Sequence, residues 1–453
     1  MATAQGARPF GLRATDDFWI SGSGLRISAL AAAVWLTVSC STVAGDLIAG
    51  ADFSHLAFFE SRGIVYRDGG LPADALALLK NRGLTCVRLR LFTSSPAQAL
   101  ANPYNYINNL DYILPLAARV KSAGLQLWLD FHYSDTWADP RHQAKPSAWV
   151  GLTFNQLAQQ VRQYSSNCIA AFKAAGAMPD FVQVGNEIGS GMLWTDGQVG
   201  GAYDTPAQWA KFGQLLTNAI AGITDAAGTE MPRIIVHIDR GGDWAGTLWF
   251  FDRLAQQPVQ FDIIGLSYYP FWHGSSDNLR TCLTNAAARY GKPVLVAETA
   301  FPWANSTNIY GIPATTNGQV QYVVALAQIV KTVPAGRGMG VCWWGAEYQT
   351  SPGLNLAGFD KRSFFDAGGN ILPAADTVGQ RAAPLRLSAS LAGGNLTASW
   401  PLSGAGATLL FATNLLPPVS WSPVTNAVQV TGTVFSATLP TTGSARFFRL
   451  QAN

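Results

Sequence analysis

Two glutamates stand where a chain could do acid and base work on a sugar. Glu187 closes the run Val182-Gln183-Val184-Gly185-Asn186-Glu187, and Glu298 closes Val294-Leu295-Val296-Ala297-Glu298. Cleaving a glycosidic bond requires a proton donor for the leaving oxygen. It also requires a nucleophile or a base on the opposite face of the ring, and two carboxyl groups supply both. One glutamate ending an apolar run can equally be a solvated surface residue. Two of them, one directly preceded by Asn186, favour the paired chemistry.

Such a pair has to be held by a rigid frame. From residue 46 onward, strand-like segments at 47–54, 85–92, 125–132, 180–187, 233–239, 262–269, 293–299 and 339–345 alternate with helical patterns at 72–82, 111–123, 153–175, 206–227, 246–256, 278–290 and 318–333. Eight strands with intervening helices predict a (β/α)8 barrel over 46–375, with catalytic residues at the C-terminal ends of its strands. An open doubly wound sheet would carry a Gly-rich phosphate loop after its first strand, and none is present. Side chains alternate along a strand. Val87, Leu89 and Leu91 therefore face the helices, and Cys86, Arg88 and Arg90 face the lumen. By the same count Asp130 and His132 point inward on the third strand, Gln183, Gly185 and Glu187 on the fourth, His237 on the fifth, and Gly265, Ser267 and Tyr269 on the sixth. The two histidines are core residues or site residues. A zinc ion would need a third ligand, for which Asp239 is the candidate.

After about residue 380 helical periodicity is lost. Short strand-like runs at 385–390, 394–400, 407–412, 427–438 and 445–451 predict a small all-β, sandwich-like module over 385–453, joined by a linker at 376–384. At the other end, Arg8, Arg13 and Arg26 precede an apolar run from Ile27 to Val38 and a stretch of small residues. Residues 1–45 read as an export leader, which places the mature protein outside the cell, in the periplasm or at the cell surface. Thr37-Val38-Ser39-Cys40 loosely resembles a lipoprotein cleavage box, although Thr37 stands where Leu is usual. Cys86, Cys168, Cys282 and Cys342 are widely spaced in apolar surroundings, which predicts buried free thiols and no zinc ribbon. A net charge of +3 over 453 residues and the absence of a basic run argue against nucleic acid as partner. No later segment reads as a membrane span, and a monomer is expected.

The words around the two glutamates narrow the reading. Gly50-Ala51-Asp52-Phe53-Ser54, Val87-Arg88-Leu89-Arg90 and Asp130-Phe131-His132-Tyr133-Ser134-Asp135-Thr136-Trp137-Ala138-Asp139-Pro140 resemble glycoside hydrolase family 53. So do Gln183-Val184-Gly185-Asn186-Glu187-Ile188, Ser267-Tyr268-Tyr269-Pro270-Phe271-Trp272 and Ala297-Glu298-Thr299-Ala300-Phe301-Pro302-Trp303. The resemblance implies endo-hydrolysis of β-1,4-galactan with net retention, by Glu187 as general acid/base and Glu298 as nucleophile; the alternatives are another β-glycan, mannan or glucan, as substrate, or a glycan-binding barrel without activity. Glu298 then needs a cation and a hydrogen-bond donor. Arg90 at the end of strand two is the expected cation, with an ion pair to Asp52 or Asp130 as its alternative, and the Tyr269 hydroxyl is the expected donor. Asn186 would hold the sugar 2-hydroxyl. The resemblance further implies a substrate groove lined by Asp52, His132, Asp135, Trp137, Asp139 and His237, with Trp272, Trp303 and Trp344 as stacking platforms; of Trp343 and Trp344 only one can face inward. Bacterial members often hold calcium after strand seven. The corresponding stretch here, Ala304-Asn305-Ser306-Thr307-Asn308-Ile309, has no carboxylate, so no metal and no cofactor is expected.

Overall fold

The computed structural model describes residues 47–382 and, beyond them, 387–401, 407–414, 416, 419–431, 434–440 and 446–451. The leader expected at 1–45, with Cys40, lies outside the described residues.

Eight parallel strands close into a barrel: β1 (Ile48–Asp52), β2 (Cys86–Leu91), β3 (Gln126–Phe131), β4 (Phe181–Val184), β5 (Arg233–Ile238), β6 (Ile263–Ser267), β7 (Val294–Thr299) and β8 (Gly338–Trp343). β1 closes the ring by pairing with both β2 and β8. The main helices are α1 (Ala75–Asn81), α2 (Leu110–Ser122), α3 (Phe154–Ala174), α4 (Pro206–Ala227), α5 (Trp244–Leu254), α6 (Ser276–Tyr290), α7 (Thr316–Lys331) and α8 (Pro373–Ala382). Five of them start on side chains that accept from otherwise orphaned backbone N–H groups: Asp74, Asn109, Thr205, Asp243 and Thr315. Gly291 ends α6 in the left-handed conformation. No described helix is long and apolar enough to cross a membrane.

The two faces of the strands make two cores. Val87, Leu89, Leu91, Leu127, Leu129, Val182 and Val184 pack outward against the helices. Ile48, Cys86, Trp128, Phe181, Ile235, Ile263, Leu295, Ala297 and Cys342 fill the lumen as an apolar plug. The Arg88 guanidinium lies over the Trp128 ring, 5.5 Å from its centre. The polar site is thus stacked on a dry floor. Cys86, Cys168, Cys282 and Cys342 are free and buried.

α8 occupies much of the stretch expected to be linker. It begins at Pro373 and runs through Ala382, and Ala374, Ala375 and Val378 are buried in the barrel's outer core. The segment Ala304–Ile309 pairs with Ile312–Thr315 as a hairpin. The C-terminal unit comprises a four-stranded and a three-stranded antiparallel sheet around Leu396, Ala398, Trp400, Leu409, Ala437, Leu439 and Phe448. The run read as one strand over 427–438 is two, Gln429–Thr431 and Val434–Pro440, paired antiparallel.

Candidate active site

Both glutamates reach the mouth of the barrel where a strand stops being regular. β4 ends at Val184, and the chain turns through Gly185 at φ 84° and Glu187 at φ 49°. A Cβ at Gly185 would lie 2.5 Å from the Ile188 side chain, so glycine is required there. Glu187 faces inward as expected, but a left-handed turn and not strand parity aims it, and the same turn sends the Asn186 side chain inward as well. On β7, Val294 and Val296 pack outward and Leu295 and Ala297 inward. Regular alternation would send Glu298 outward. The β6–β7 register instead slips between the pairs Leu266–Val296 and Ser267–Glu298. This irregularity turns Glu298 toward the lumen, the usual use of a bulge beside a site.

Glu298 is 5% exposed. Its Oε1 lies 2.8 Å from Arg88 Nη1, and its Oε2 accepts from the Tyr269 hydroxyl at 3.0 Å. The cation is therefore Arg88 and not Arg90. Arg88 also donates to Asp52 (3.0 Å), Asp130 (2.7 Å), Asn186 Oδ1 (2.8 Å) and Gln183 Oε1 (3.3 Å). Its rigid fork holds the floor of the site together. Arg90, two residues further along β2, lies 3.2 Å from Asp52 and 2.9 Å from His55 Nδ1. Its guanidinium carbon sits 4.5 Å from the Trp137 ring centre and 5.3 Å from that of Trp344. It braces the aromatic wall.

The two carboxyls differ in their surroundings. Burial raises the pKa of both. At Glu298 the charges of Asp130 and Asp52 add to that rise, while Arg88 and the Tyr269 hydroxyl work against it. At Glu187 the charges of Glu298, Asp239 and Asp139 add to it, and only a hydrogen bond from Ser267 opposes. Glu187 is thus raised further than Glu298 and holds its proton the more tightly of the two. Arg88 and Arg90 face three carboxylates, Asp52, Asp130 and Glu298, and Asp130 is held low by Arg88 and His132 despite its burial. Glu347, by contrast, is pushed up to about 8 by burial and by Asp52.

Several residues expected to touch sugar are engaged inside the protein. Contrary to that expectation, Asp52 is buried and bridges Arg88, Arg90 and Ser54. His132 Nδ1 accepts from the Ala138 N–H, which puts the ring proton on Nε2, 3.0 Å from Asp130. Asp135 accepts from Thr93, Gln98 and both the N–H and hydroxyl of Ser147, tying the loop after β3. His237 Nδ1 accepts from Gln183 Nε2 at 2.9 Å, and its Nε2 faces Ser267 Oγ at 2.8 Å. Burial and Arg88 keep His237 neutral. Its proton thus points at the hydroxyl that serves Glu187.

Other expected residues keep open faces. Asp139 is half-exposed on the rim, paired with His142. Asn186 turns its oxygen to Arg88 and gives one N–H to Ala138 O at 2.8 Å. Trp137 stacks on His55 (centroids 5.5 Å apart) and meets Trp344 at 6.1 Å. Trp343 is buried and faces the helices, so Trp344 is the one of the two that faces the cleft. Trp272 is 62% exposed, and Trp303 is half-buried beside Lys361. Sequence reasoning missed His55, Glu347 and Tyr348, which enclose Arg90 from loops after β1 and β8. No strand period reaches those loops. Among the described residues no group of three or more His, Cys, Asp or Glu could hold a metal ion.

This geometry can be set beside known proteins. The glycosyl hydrolase family 53 profile matches residues 48–378. The chain belongs to this family and is a glycoside hydrolase. It is 43% identical over 312 residues to a Niallia circulans protein described only by its position in the bgaB 5′ region, spanning 66% of this chain and 82% of that one. It is 33% identical over 333 residues to the arabinogalactan endo-β-1,4-galactanase of Humicola insolens, spanning 70% and 95%. The solved catalytic domain of the Ignisphaera aggregans family 53 protein superimposes with a TM-score of 0.67 at 31% identity, over 76% of this chain and 98% of that one.

Proposed function

We propose that this chain cuts β-1,4-galactan internally and with net retention, Glu187 acting as general acid/base and Glu298 as nucleophile. The observation that carries the mechanism is the unequal environment of the pair. Glu298 is bound to Arg88 and Tyr269, while Glu187 has no cation to offset its burial. In the first step Glu298 attacks the anomeric carbon while Glu187 passes its proton to the leaving oxygen. In the second, Glu187 takes a proton from water, which displaces Glu298. We assign the sugar 2-hydroxyl to Asn186, whose amide gives one N–H to Ala138 O, and the stacking of the sugar chain to Trp137, Trp272, Trp303 and Trp344. The sugar's identity is supported by the galactanase relative and not by the two carboxyls alone. The leader-like N-terminus supports export, which suits a polymeric substrate. We further assign residues 385–453 to a separate β-module and expect a monomer.

The test offers purified protein galactan, mannan and cellulose and follows new reducing ends, with Glu298→Gln as control. Cleavage of galactan that Glu298→Gln abolishes is expected. No cleavage of galactan removes the substrate assignment, and undiminished cleavage by Glu298→Gln removes the mechanism.

A further inference from the structure

Past the end of β8, Phe359-Asp360-Lys361-Arg362 carries a guanidinium that the two-carboxyl chemistry does not use. The Arg362 guanidinium carbon lies 4.2 Å from the ring centre of Phe271 and 4.5 Å from that of Phe359. Phe359 in turn packs edge-on against Tyr269 and Trp344. The cation is therefore set in the aromatic wall beside Glu298, and its charge and the Tyr269 hydroxyl feel one another.

The two arginines inside the barrel have ion-pair partners. Arg362 has none among the described residues, and its Nη1 is buried without a hydrogen-bond partner. The adjacent acid, Asp360, is engaged elsewhere: its Oδ2 accepts from Thr350 at 2.6 Å and lies 3.8 Å from Lys361. Burial pulls the Arg362 pKa down, and the charge of Asp360 only partly offsets this. Aromatic faces attract a guanidinium but accept no N–H hydrogen bond in its plane. Nη1 is closed to solvent, so the open side of the half-buried guanidinium is the part that a ligand in the cleft could meet.

We propose that Arg362 anchors a subsite for a negatively charged sugar and receives the carboxylate of a uronic acid residue in the chain being cut. A neutral hydroxyl would fill one donor but leave the charge unbalanced. A carboxylate balances the charge and matches the planar fork. Lys361, whose ammonium is 5.3 Å from the Trp303 ring centre, adds positive charge to the same wall. The inference rests on the reading that galactan lies in this cleft.

The test compares untreated galactan with galactan whose C6 hydroxyls are partly oxidised to carboxylates, using wild type, Arg362→Gln and Arg362→Met. Rates come from reducing ends, and binding comes from retardation in gels that contain each polysaccharide. Wild type should favour the oxidised chain, with an advantage that shrinks as salt is added. Both substitutions should lower the oxidised-to-untreated ratio of kcat/KM by about tenfold, the scale of losing a charge-assisted contact. Equal losses on both substrates, or a wild type indifferent to oxidation, would overturn the proposal. Retardation by the oxidised chain that vanishes in Arg362→Met would uphold the subsite even if neither polysaccharide were cleaved. That last outcome would sink the galactanase reading alone.

Discussion

Tyr269→Phe removes one hydrogen bond and almost nothing else. The Tyr269 ring is buried among Phe271, Trp272 and Phe359, and phenylalanine keeps those contacts. What is lost is the 3.0 Å donation to Glu298 Oε2. A hydrogen bond to a charged group contributes about 1.5–3 kcal/mol. The bond favours the ionised form of Glu298, so its loss raises the pKa of that carboxyl. At 1.36 kcal/mol per unit the rise is about 1–2 units. The acidic limb of the kcat/KM profile should therefore move to higher pH by about that amount, and the bell should narrow from its acid side. Because the two carboxyls interact, the limb reports the pair, yet the sign of the shift is the same. At a pH below the wild-type limb the loss should be about 10- to 100-fold, shrinking as pH rises. The assay is initial-rate hydrolysis of a soluble galacto-oligosaccharide across pH, with thermal melting as a folding control. A uniform loss at every pH, with the limb unmoved, would refute the claim that this hydroxyl tunes Glu298.

Arg88→Lys and Arg90→Lys separate the two inward arginines. Arg88→Lys breaks up the set of contacts to Glu298, Asp52, Asp130 and Asn186 and should cost at least about a hundredfold in kcat, since each buried charge-assisted bond is worth about 1.5–3 kcal/mol. Arg90→Lys loses stacking between Trp137 and Trp344 and should raise KM more than it lowers kcat, so steady-state kinetics decide between them. Glu347 is pushed up to about 8 in the fold, against an ordinary value of 4.5. Between those values the native state holds a proton that the unfolded chain has lost, so stability falls as pH rises from about 4.5 to about 8. Glu347→Gln should flatten that fall by a few kcal/mol, read from melting curves between pH 5 and 9. Chelation with EDTA should leave Tm and rate unchanged, because the hairpin after β7 offers no carboxylate; a fall in Tm would expose a metal site elsewhere.

The barrel was legible because its signals are local. Alternation in Cys86–Leu91 and in Gln126–Phe131 sorts side chains into a dry outer core and a lumen, and the structure keeps that sorting. Sequence period also brought Arg88 and Arg90 inward together, but it could not choose between them. The choice depends on depth: Arg88 pairs in register with Asp52 of β1 and lies over Trp128, where its fork reaches four other strands or strand ends at once. Arg90 lies above that layer and meets loops whose course no period describes. Asp135 and His132 illustrate the same limit. Both belong to a stretch specific enough to suggest the family, and both face protein partners, His132 within the stretch and Asp135 on Thr93, Gln98 and Ser147 outside it, so a distinctive motif marked a well-made loop as much as a sugar contact.

The proposed catalytic pair itself lies where the legible rule fails. Strand parity puts Glu298 on the wrong face and would place Asn186 opposite Glu187. A slipped register on β7 and a left-handed turn at Gly185–Glu187 overrule it. Such irregularities cost conformational energy and persist only when the surroundings fix them. Here the surroundings are the same groups that set the proton balance: Arg88 reaches both Asn186 and Glu298, and His237 and Ser267 meet beside Glu187. One buried guanidinium thus binds Glu298 and pins the turn that carries Glu187. Shape and charge at this site are therefore not separable by mutation at Arg88, whereas Tyr269 touches the charge of one glutamate and the position of neither.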